Sequence, residues 1–313
     1  MSTSTTIDWQ NHSVRRWSAV LENLPRSAVE QTWAFGEAVR IHARRQIRRG
    51  IIVHNGQDIG LLQAQGRQMG PITFWLLARG PAFIADTPKE VSDTAHKLTC
   101  DAFPIRKGDI LLWMPEKTDS PQSYAEMADL GKRQLITGYH SAWLDLKKTE
   151  EEILEKAHSS WRRNLKTIQK KGLKTQLNHT GKTLTWLLEQ ADAHRKSGGY
   201  SGTSGAFAHL VSGLTSQRGD VITLTAAIEN TPVAGMLFLK HGTSATYYIG
   251  WNGESGRKLN AHHLLLWEAI KELKKRGVTW MDLGGINTDD ATGVAHFKLG
   301  IHPEVYSLAG LFG

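Results

Sequence analysis

Val221 to Ile249 runs VITLTAAIENTPVAGMLFLKHGTSATYYI, and the punctuation of this stretch decides the fold. Val221 to Glu229 is rich in β-branched and apolar residues and is closed by the turn-forming Asn230-Thr231-Pro232. Val233 to Lys240 is a second such run, His241-Gly242-Thr243 turns again, and Ala245 to Ile249 is a third. Three strands joined by short turns form an antiparallel meander. The period then changes from two to three or four. Leu265, Leu266, Ala269, Ile270 and Leu273 mark one face of a helix from about Ala261 to Arg276, with Asn260 as candidate cap. Lys274, Lys275 and Arg276 complement its C-terminal dipole, and Gly277 stops it. Val278 to Leu283 follows as a buried strand and Glu304 to Ala309 as a final one.

Helical segments precede this meander. Thr149 and Glu152 have capping-box spacing, and Ile153, Leu154, Ala157, Trp161, Leu165 and Ile168 recur at helical intervals up to Gly172. Thr183 to Lys196 and Phe207 to Gln217 read as further helices. Helices, three antiparallel strands, helix, strand and terminal strand are the order of an α+β (mixed α/β) acetyltransferase-like (GNAT-like) domain. The first half repeats it more faintly. A helix around Ala28 to Val39 precedes strands near Ile51 to Val53, Ile59 to Gln65 and Ile72 to Leu77. A helix over Lys89 to Phe103, a strand over Ile110 to Met114, a helix over Ser123 to Lys132 and a strand over Ser141 to Leu146 complete it. The expectation is two tandem GNAT-like (acyl-CoA N-acyltransferase) domains, 1–147 and 148–313, with no projecting coiled-coil arm.

With 313 residues, the chain has the length of two ordinary domains. Its 38 basic and 30 acidic residues leave a formal charge of +8, which favours an anionic partner such as RNA, a phosphorylated substrate or a membrane surface. No basic run followed by an apolar stretch opens the sequence, and no apolar run approaches the length that spans a bilayer, so a cytoplasmic location is expected. The single cysteine, Cys100, precludes an internal disulfide and is expected to be buried. The histidines show no zinc-site spacing, and there is no Gly-x-Ser-x-Gly elbow, P-loop or dinucleotide fingerprint, so neither a metal nor a bound cofactor is expected.

Three stretches resemble the FemABX peptidyltransferases, which use aminoacyl-tRNA to add amino acids to peptidoglycan precursors. One is Arg79-Gly80-Pro81 after a strand. A second is the basic segment Ser160-Trp161-Arg162-Arg163-Asn164-Leu165-Lys166, continuing to Lys170-Lys171-Gly172. The most specific comprises Leu259-Asn260-Ala261, Trp267-Glu268-Ala269-Ile270, Asp282-Leu283-Gly284-Gly285-Ile286, Gly293 and Phe297-Lys298-Leu299-Gly300. The resemblance implies acceptor binding by the first domain, and donor binding and catalysis by the second.

Aminoacyl transfer requires an amine to attack an ester carbonyl, and a placed cation that meets the resulting oxyanion is a large contribution. The resemblance gives Lys298 that role, with Phe297 and His296 beside it as candidate substrate contacts. Asp282 could orient an amine or a lysine, or cap the Gly284-Gly285 turn. Arg162, Arg163, Lys166, Lys170 and Lys171 are candidates for the tRNA acceptor stem, whose phosphates would make affinity fall with salt. Gln31-Thr32-Trp33 followed by Arg40 resembles the first-domain segment that meets the acceptor's phosphates, and Arg195 before Ser197-Gly198-Gly199 is a second phosphate candidate. Gly253 to Lys258 lies where acetyltransferases bind the pyrophosphate of acyl-CoA, but the Arg/Gln-x-x-Gly-x-Gly/Ala pattern is absent. The leading expectation is therefore an aminoacyltransferase using aminoacyl-tRNA as co-substrate. The acceptor would be a UDP-muramoyl peptide, a lipid-linked precursor met at a membrane surface, or another amine. The alternatives are an N-acyltransferase using acyl-CoA or acyl carrier protein on a small amine, and a non-catalytic RNA- or envelope-binding protein.

Overall fold

The computed structural model describes residues 4–198, 202–215, 217–286 and 292–313. The chain divides into two units: residues 1–140, 241–243 and 306–313 form the first, and residues 141–240 and 244–305 the second. The first unit therefore takes up the end of the chain.

In the first unit the elements are β1 (Thr5–Asp8), α1 (Val14–Glu22), α2 (Trp33–His42), β2 (Gln46–His54), β3 (Gln57–Met69), β4 (Ile72–Ala78) and β5 (Ala82–Phe83). There follow α3 (Lys89–Asp101), β6 (Asp109–Met114), α4 (Pro121–Asp129) and β7 (Gln134–Ile136). The second unit carries β8 (His140–Asp145), α5 (Glu150–Lys156), α6 (Ser159–Lys170), β9 (Lys174–Asn178), α7 (Lys182–Gly198) and α8 (Gly205–Leu214). The meander β10 (Val221–Ile228), β11 (Thr231–His241) and β12 (Ser244–Asn252) comes next. After it lie α9 (Glu254–Leu259), α10 (Ala261–Lys275), β13 (Trp280–Asp282), α11 (Thr292–Leu299), β14 (Glu304–Ser307) and β15 (Leu311–Phe312).

Each unit is built on one mixed sheet. The first runs β1-β2-β3-β4-β6-β15-β7 with β5 paired to β3, and the second β14-β8-β13-β12-β11-β10-β9. The repeated grammar is real in three dimensions. In the first sheet β4 is joined through α3 to β6, its parallel neighbour. In the second, β12 is joined through α9 and α10 to β13, again parallel. A parallel pair needs a crossover of this length.

The core of the second unit follows from the two periods. Ile222, Leu224 and Ala226 on β10 and Ala234, Met236 and Phe238 on β11 alternate onto one face, where they meet the α10 stripe and Trp161, Leu165 and Ile168 of α6. The opposite face is covered by α7, and a Cβ on Gly235 would approach Leu187 to 2.8 Å.

Several sequence expectations are displaced. The helical pattern from Thr149 to Ile168 is two helices, because Ala157 leaves the helical region at ψ 147°. The capping box at Thr149 and Glu152 is present. The strand expected at the end of the first half is β8, which pairs with β13 in the second sheet, Trp280 opposite Asp145. The final strand is two. Glu304–Ser307 joins the second sheet, whereas Phe312 pairs with Trp113 in the first. The helix read from Ala28 is a single 3-10 turn at Val29–Gln31 before α2, which starts late because Thr32 caps it by accepting from Phe35 N. Cys100 is half-buried on α3.

Arg79-Gly80-Pro81 is a structural hub of the first unit. Arg79 is buried with φ +58°, and the Gly80–Pro81 bond is cis. The Arg79 guanidinium pairs with Glu116 and donates to the hydroxyls of Tyr139 at 3.0 Å and Tyr306 at 2.7 Å. Trp113 Nε1 donates to Gly80 O at 2.6 Å.

Candidate active site around Lys298

Lys298 belongs to the last turn of α11 and is only 8% exposed. Its Nζ donates to Gly285 O at 2.8 Å and lies 5.6 Å from the centroid of the Tyr247 ring. Among the described residues that carbonyl is its one hydrogen-bond acceptor, so the ammonium keeps two donors in reserve. Burial pushes its pKa down from 10.5 to about 8, partly opposed by the charge of Asp282.

The Gly285 carbonyl is aimed by the turn that ends β13. Asp282 is buried, and its Oδ1 accepts from Gly284 N at 2.7 Å and from Ser141 Oγ at 3.2 Å. Gly284 has φ +70°, a conformation that a side chain would resist, while space beside it is ample. Asp282 therefore both caps the turn and supplies the charge facing Lys298. The open alternatives for this residue are one arrangement. Tyr247, on β12, is half-buried, and desolvation of its phenol pushes its pKa up, so it stays neutral.

Gly300 joins this site to the basic segment. A Cβ there would come within 2.7 Å of Trp161 Cδ1, and His158 N donates to Gly300 O at 2.8 Å. The α6 helix thus packs directly on the end of the Phe297-Lys298-Leu299-Gly300 turn. Phe297 lies between two imidazoles, with centroids 5.7 Å from His262 and 5.2 Å from His263, and His263 in turn meets Trp161 at 5.3 Å. Burial pushes both imidazoles down to about 4, so they act as neutral packing surfaces at physiological pH. Phe297 is a packing residue in this arrangement. His296, beside it, is exposed and takes no part in the core.

On α6, Arg163, Lys166 and Lys170 follow one another at three- and four-residue steps and are exposed, as is Lys171 at the helix end. Arg162 differs. Its Nη1 donates to Glu155 O at 2.8 Å and Ala157 O at 2.5 Å, closing the C-terminus of α5. Arg195 is likewise held, pairing with Asp192 at 3.2 Å, and the same carboxylate accepts from Gly205 N at 2.9 Å. Gly199 of the adjacent glycine segment lies outside the described residues.

In the first unit, Arg40 is exposed and pairs with Glu37 at 2.8 Å. Sequence reading passed over the more constrained cation, Arg49. It is buried, pairs with Glu37 at 2.9 Å, donates to Gln63 Oε1 at 2.7 Å, and stacks 3.8 Å from the centroid of the half-buried Trp33. A Cβ on Gly36 would reach its Nη2 at 2.6 Å. Gln31 is fully buried, bonding Gln63 N at 2.8 Å and Ala78 O at 2.6 Å, so it braces the strands behind Trp33. No spacing in the sequence distinguishes Arg49 from Arg48.

The segment Gly253 to Lys258 is helical and packed down. Gly253 N donates to Val233 O at 3.0 Å, and a Cβ on Gly256 would approach that same oxygen to 2.6 Å. Among the described residues, no group of three or more His, Cys, Asp or Glu side chains could hold a metal ion, and no helix is long and apolar enough to cross a membrane.

Residues 171–313 match the FemAB family. The crystal structure of FemX superposes with a TM-score of 0.81 at 13% identity, covering 97% of this chain and 96% of that one. L-PGS from Bacillus licheniformis gives 0.56 at 12% identity, covering 95% and 90%. A tandem GNAT protein from the clavulanic acid biosynthesis pathway gives 0.53 at 12%, covering 99% and 98%. At these identities the likeness is one of fold. No curated protein sequence matches the chain.

Proposed function

We propose, from the match of residues 171–313 to the FemAB family, that this chain is an aminoacyltransferase. It moves an amino acid from aminoacyl-tRNA to an amine of a peptidoglycan precursor or a related acceptor. The observation that carries the reading is the buried Lys298 ammonium. Among the described residues it is tethered by a single carbonyl; it is faced by Asp282 and lies next to a turn against which the basic helix α6 is packed.

In the reaction, the acceptor nitrogen bonds to the ester carbonyl carbon and the carbonyl oxygen becomes an oxyanion. When the intermediate collapses, the carbon–oxygen bond to the tRNA ribose breaks. The nitrogen loses a proton and the ribose oxygen gains one, so no net proton is needed from the protein. Lys298 meets the oxyanion with the N–H donors that Gly285 leaves free. Its burial lowers the local dielectric, which strengthens that contact. The cost is a proton held less tightly, and Asp282 opposes the loss. Arg163, Lys166, Lys170 and Lys171 supply the cations an acceptor stem needs. The pyrophosphate position of acyl-CoA enzymes is here a short helix whose capping residue, Gly253, already donates its amide to Val233 O, which favours a tRNA donor over a thioester. Trp33 with Arg49 and Arg40 is the corresponding candidate surface for the acceptor in the first unit.

The test incubates purified protein with total tRNA charged with labelled amino acids, and separately with labelled acetyl-CoA. Label is followed into UDP-muramoyl peptide, lipid-linked precursor and small amines. Transfer from tRNA that disappears in Lys298→Met supports the reading. Label moving only from the thioester refutes it.

A further inference from the structure

Three connections of the first unit, with the ends of the elements they join, meet at one end of its sheet: α2 to β2 (residues 41–46), β3 to β4 (66–73) and the turn before β6 (104–108). Their neighbourhood follows from register. Gln46 pairs with Gly66, Met69 with Ile72, and Thr73 with Asp109. Thr73 N donates to Gly108 O at 2.8 Å, which fastens the third turn to the second.

The composition of this end is unlike the rest of the chain. Its segments read IHARRQ, GRQMGPIT and PIRKG, with Arg44, Arg45, Arg67, Arg106 and Lys107, and the carboxylate that follows them, Asp109, accepts from Trp75 Nε1 at 2.8 Å. In the whole chain 30 acidic residues stand against 38 basic ones, so five cations against the one carboxylate of Asp109 are a local basic bias. None of these five cations takes part in an ion pair among the described residues, and Arg45 alone makes a side-chain bond, to Gln65 at 2.8 Å. The same end carries exposed aliphatic side chains: Ile105 at 77%, Met69 at 55%, Ile41 at 47% and Ile72 at 36%. Large apolar groups exposed at the ends of a helix and two strands and in the turn before β6, with cations that form no ion pair among the described residues on the same segments, are what an anionic bilayer surface accommodates. The aliphatic tips enter the headgroup–acyl boundary while Arg and Lys meet lipid phosphates. RNA would use the cations, but it rewards flat aromatic surfaces rather than isoleucine and methionine tips.

We infer that this end of the first sheet docks peripherally on an anionic lipid surface. The inference stands apart from the transferase reading, because binding is scored without turnover. The experiment sediments the full chain with vesicles of phosphatidylcholine alone and of phosphatidylcholine mixed with phosphatidylglycerol, at low and high salt. Binding should require the anionic lipid and weaken with salt. It should fall roughly tenfold or more in Met69→Ser/Ile105→Ser, and by a similar factor in Arg106→Gln/Lys107→Gln. All four substitutions are at exposed sites, and circular dichroism with an unchanged melting temperature verifies the fold. Failure to bind either vesicle overturns the inference. So does binding that both variants retain, or binding that only substitutions on α6 remove. Capture of an RNA oligonucleotide by this end, lost in Arg106→Gln/Lys107→Gln while vesicles are ignored, overturns it equally.

Discussion

Lys298→Met should abolish transfer and yet stabilise the protein at neutral pH. The lysine's pKa falls from 10.5 unfolded to about 8 folded, so holding it charged in the folded state costs about 3 kcal/mol at pH 7. Methionine removes that cost and fills similar volume, but it forfeits the bond to Gly285 O, worth about 1 kcal/mol, with some further loss from leaving the carbonyl unmet. The net gain at pH 7 is therefore about 1–2 kcal/mol. The sign then changes with pH. Between about 8 and 10.5 the unfolded chain retains the proton that the folded chain has released, so wild-type stability rises with pH. Above that window the ammonium penalty is gone, and the variant should be the less stable by about 1 kcal/mol, having only its lost hydrogen bond. Paired urea titrations of wild type and variant at pH 7, 8.5 and 10.5, followed by tryptophan fluorescence, read this directly. Groups common to both proteins cancel in the difference. With a slope of about 2–3 kcal/mol per molar urea, the midpoints should differ by roughly 0.5 M at pH 7 and cross near the top of the range. A difference that is constant across the three pH values would show that Lys298 is not a buried, destabilised cation, and the electrostatic basis of the mechanism would fall with it.

Asp282→Asn can still accept from Gly284 N but removes the charge facing Lys298, so the alkaline limb of the pH–rate profile should move below about 8; an unmoved limb would deny the coupling. Gly300→Ala places a Cβ within 2.7 Å of Trp161 Cδ1 and should cost about 1–3 kcal/mol by overpacking, measured as a lowered melting temperature. Arg163→Gln/Lys166→Gln/Lys170→Gln should flatten the dependence of tRNA affinity on salt by nearly three in log–log slope, whereas Arg162→Gln should act on stability through the open end of α5. Glu37→Ala should destabilise the first unit by about 3 kcal/mol or more, since it leaves Arg49 buried without its carboxylate, and Glu37→Ala/Arg49→Met should recover much of the loss in the same melt.

The second unit was more legible in sequence than the first because β10 and β11 are buried on both faces and its helix α10 carries a broad apolar stripe. Both give long, uninterrupted signals. The weaker signals lie where pairing partners are remote. Nothing in Ser141 to Leu146 says that it pairs with Trp280 rather than with the strands before it, and nothing in Leu311-Phe312 points to Trp113. Short strands gain their conformation from the neighbour and not from their own propensity. In the site, Lys298 and Asp282 were accessible through motif resemblance, and both bond to the Gly284-Gly285 turn. Tyr247, Ser141 and the Gly285 carbonyl were not, since a ring face and a backbone acceptor leave no compositional trace. The basic run on α6 illustrates the reverse limit. One-letter spacing cannot separate Arg162, whose guanidinium closes a helix, from Arg163, whose guanidinium makes no hydrogen bond among the described residues.

The placement of β15 sets an order on biosynthesis. The sheet of the first unit has β6 and β7 on either side of a strand encoded some 175 residues later. At translation rates of about 5–20 residues per second, those edges wait roughly 10–35 s for Leu311 and Phe312 to emerge, while the whole second unit is made. The nascent first unit must therefore remain an incomplete sheet with two open edges on the ribosome. Its closure is a late, long-range event, and substitution at Phe312 or Trp113 should reduce soluble yield more than it changes the properties of the molecules that finish folding.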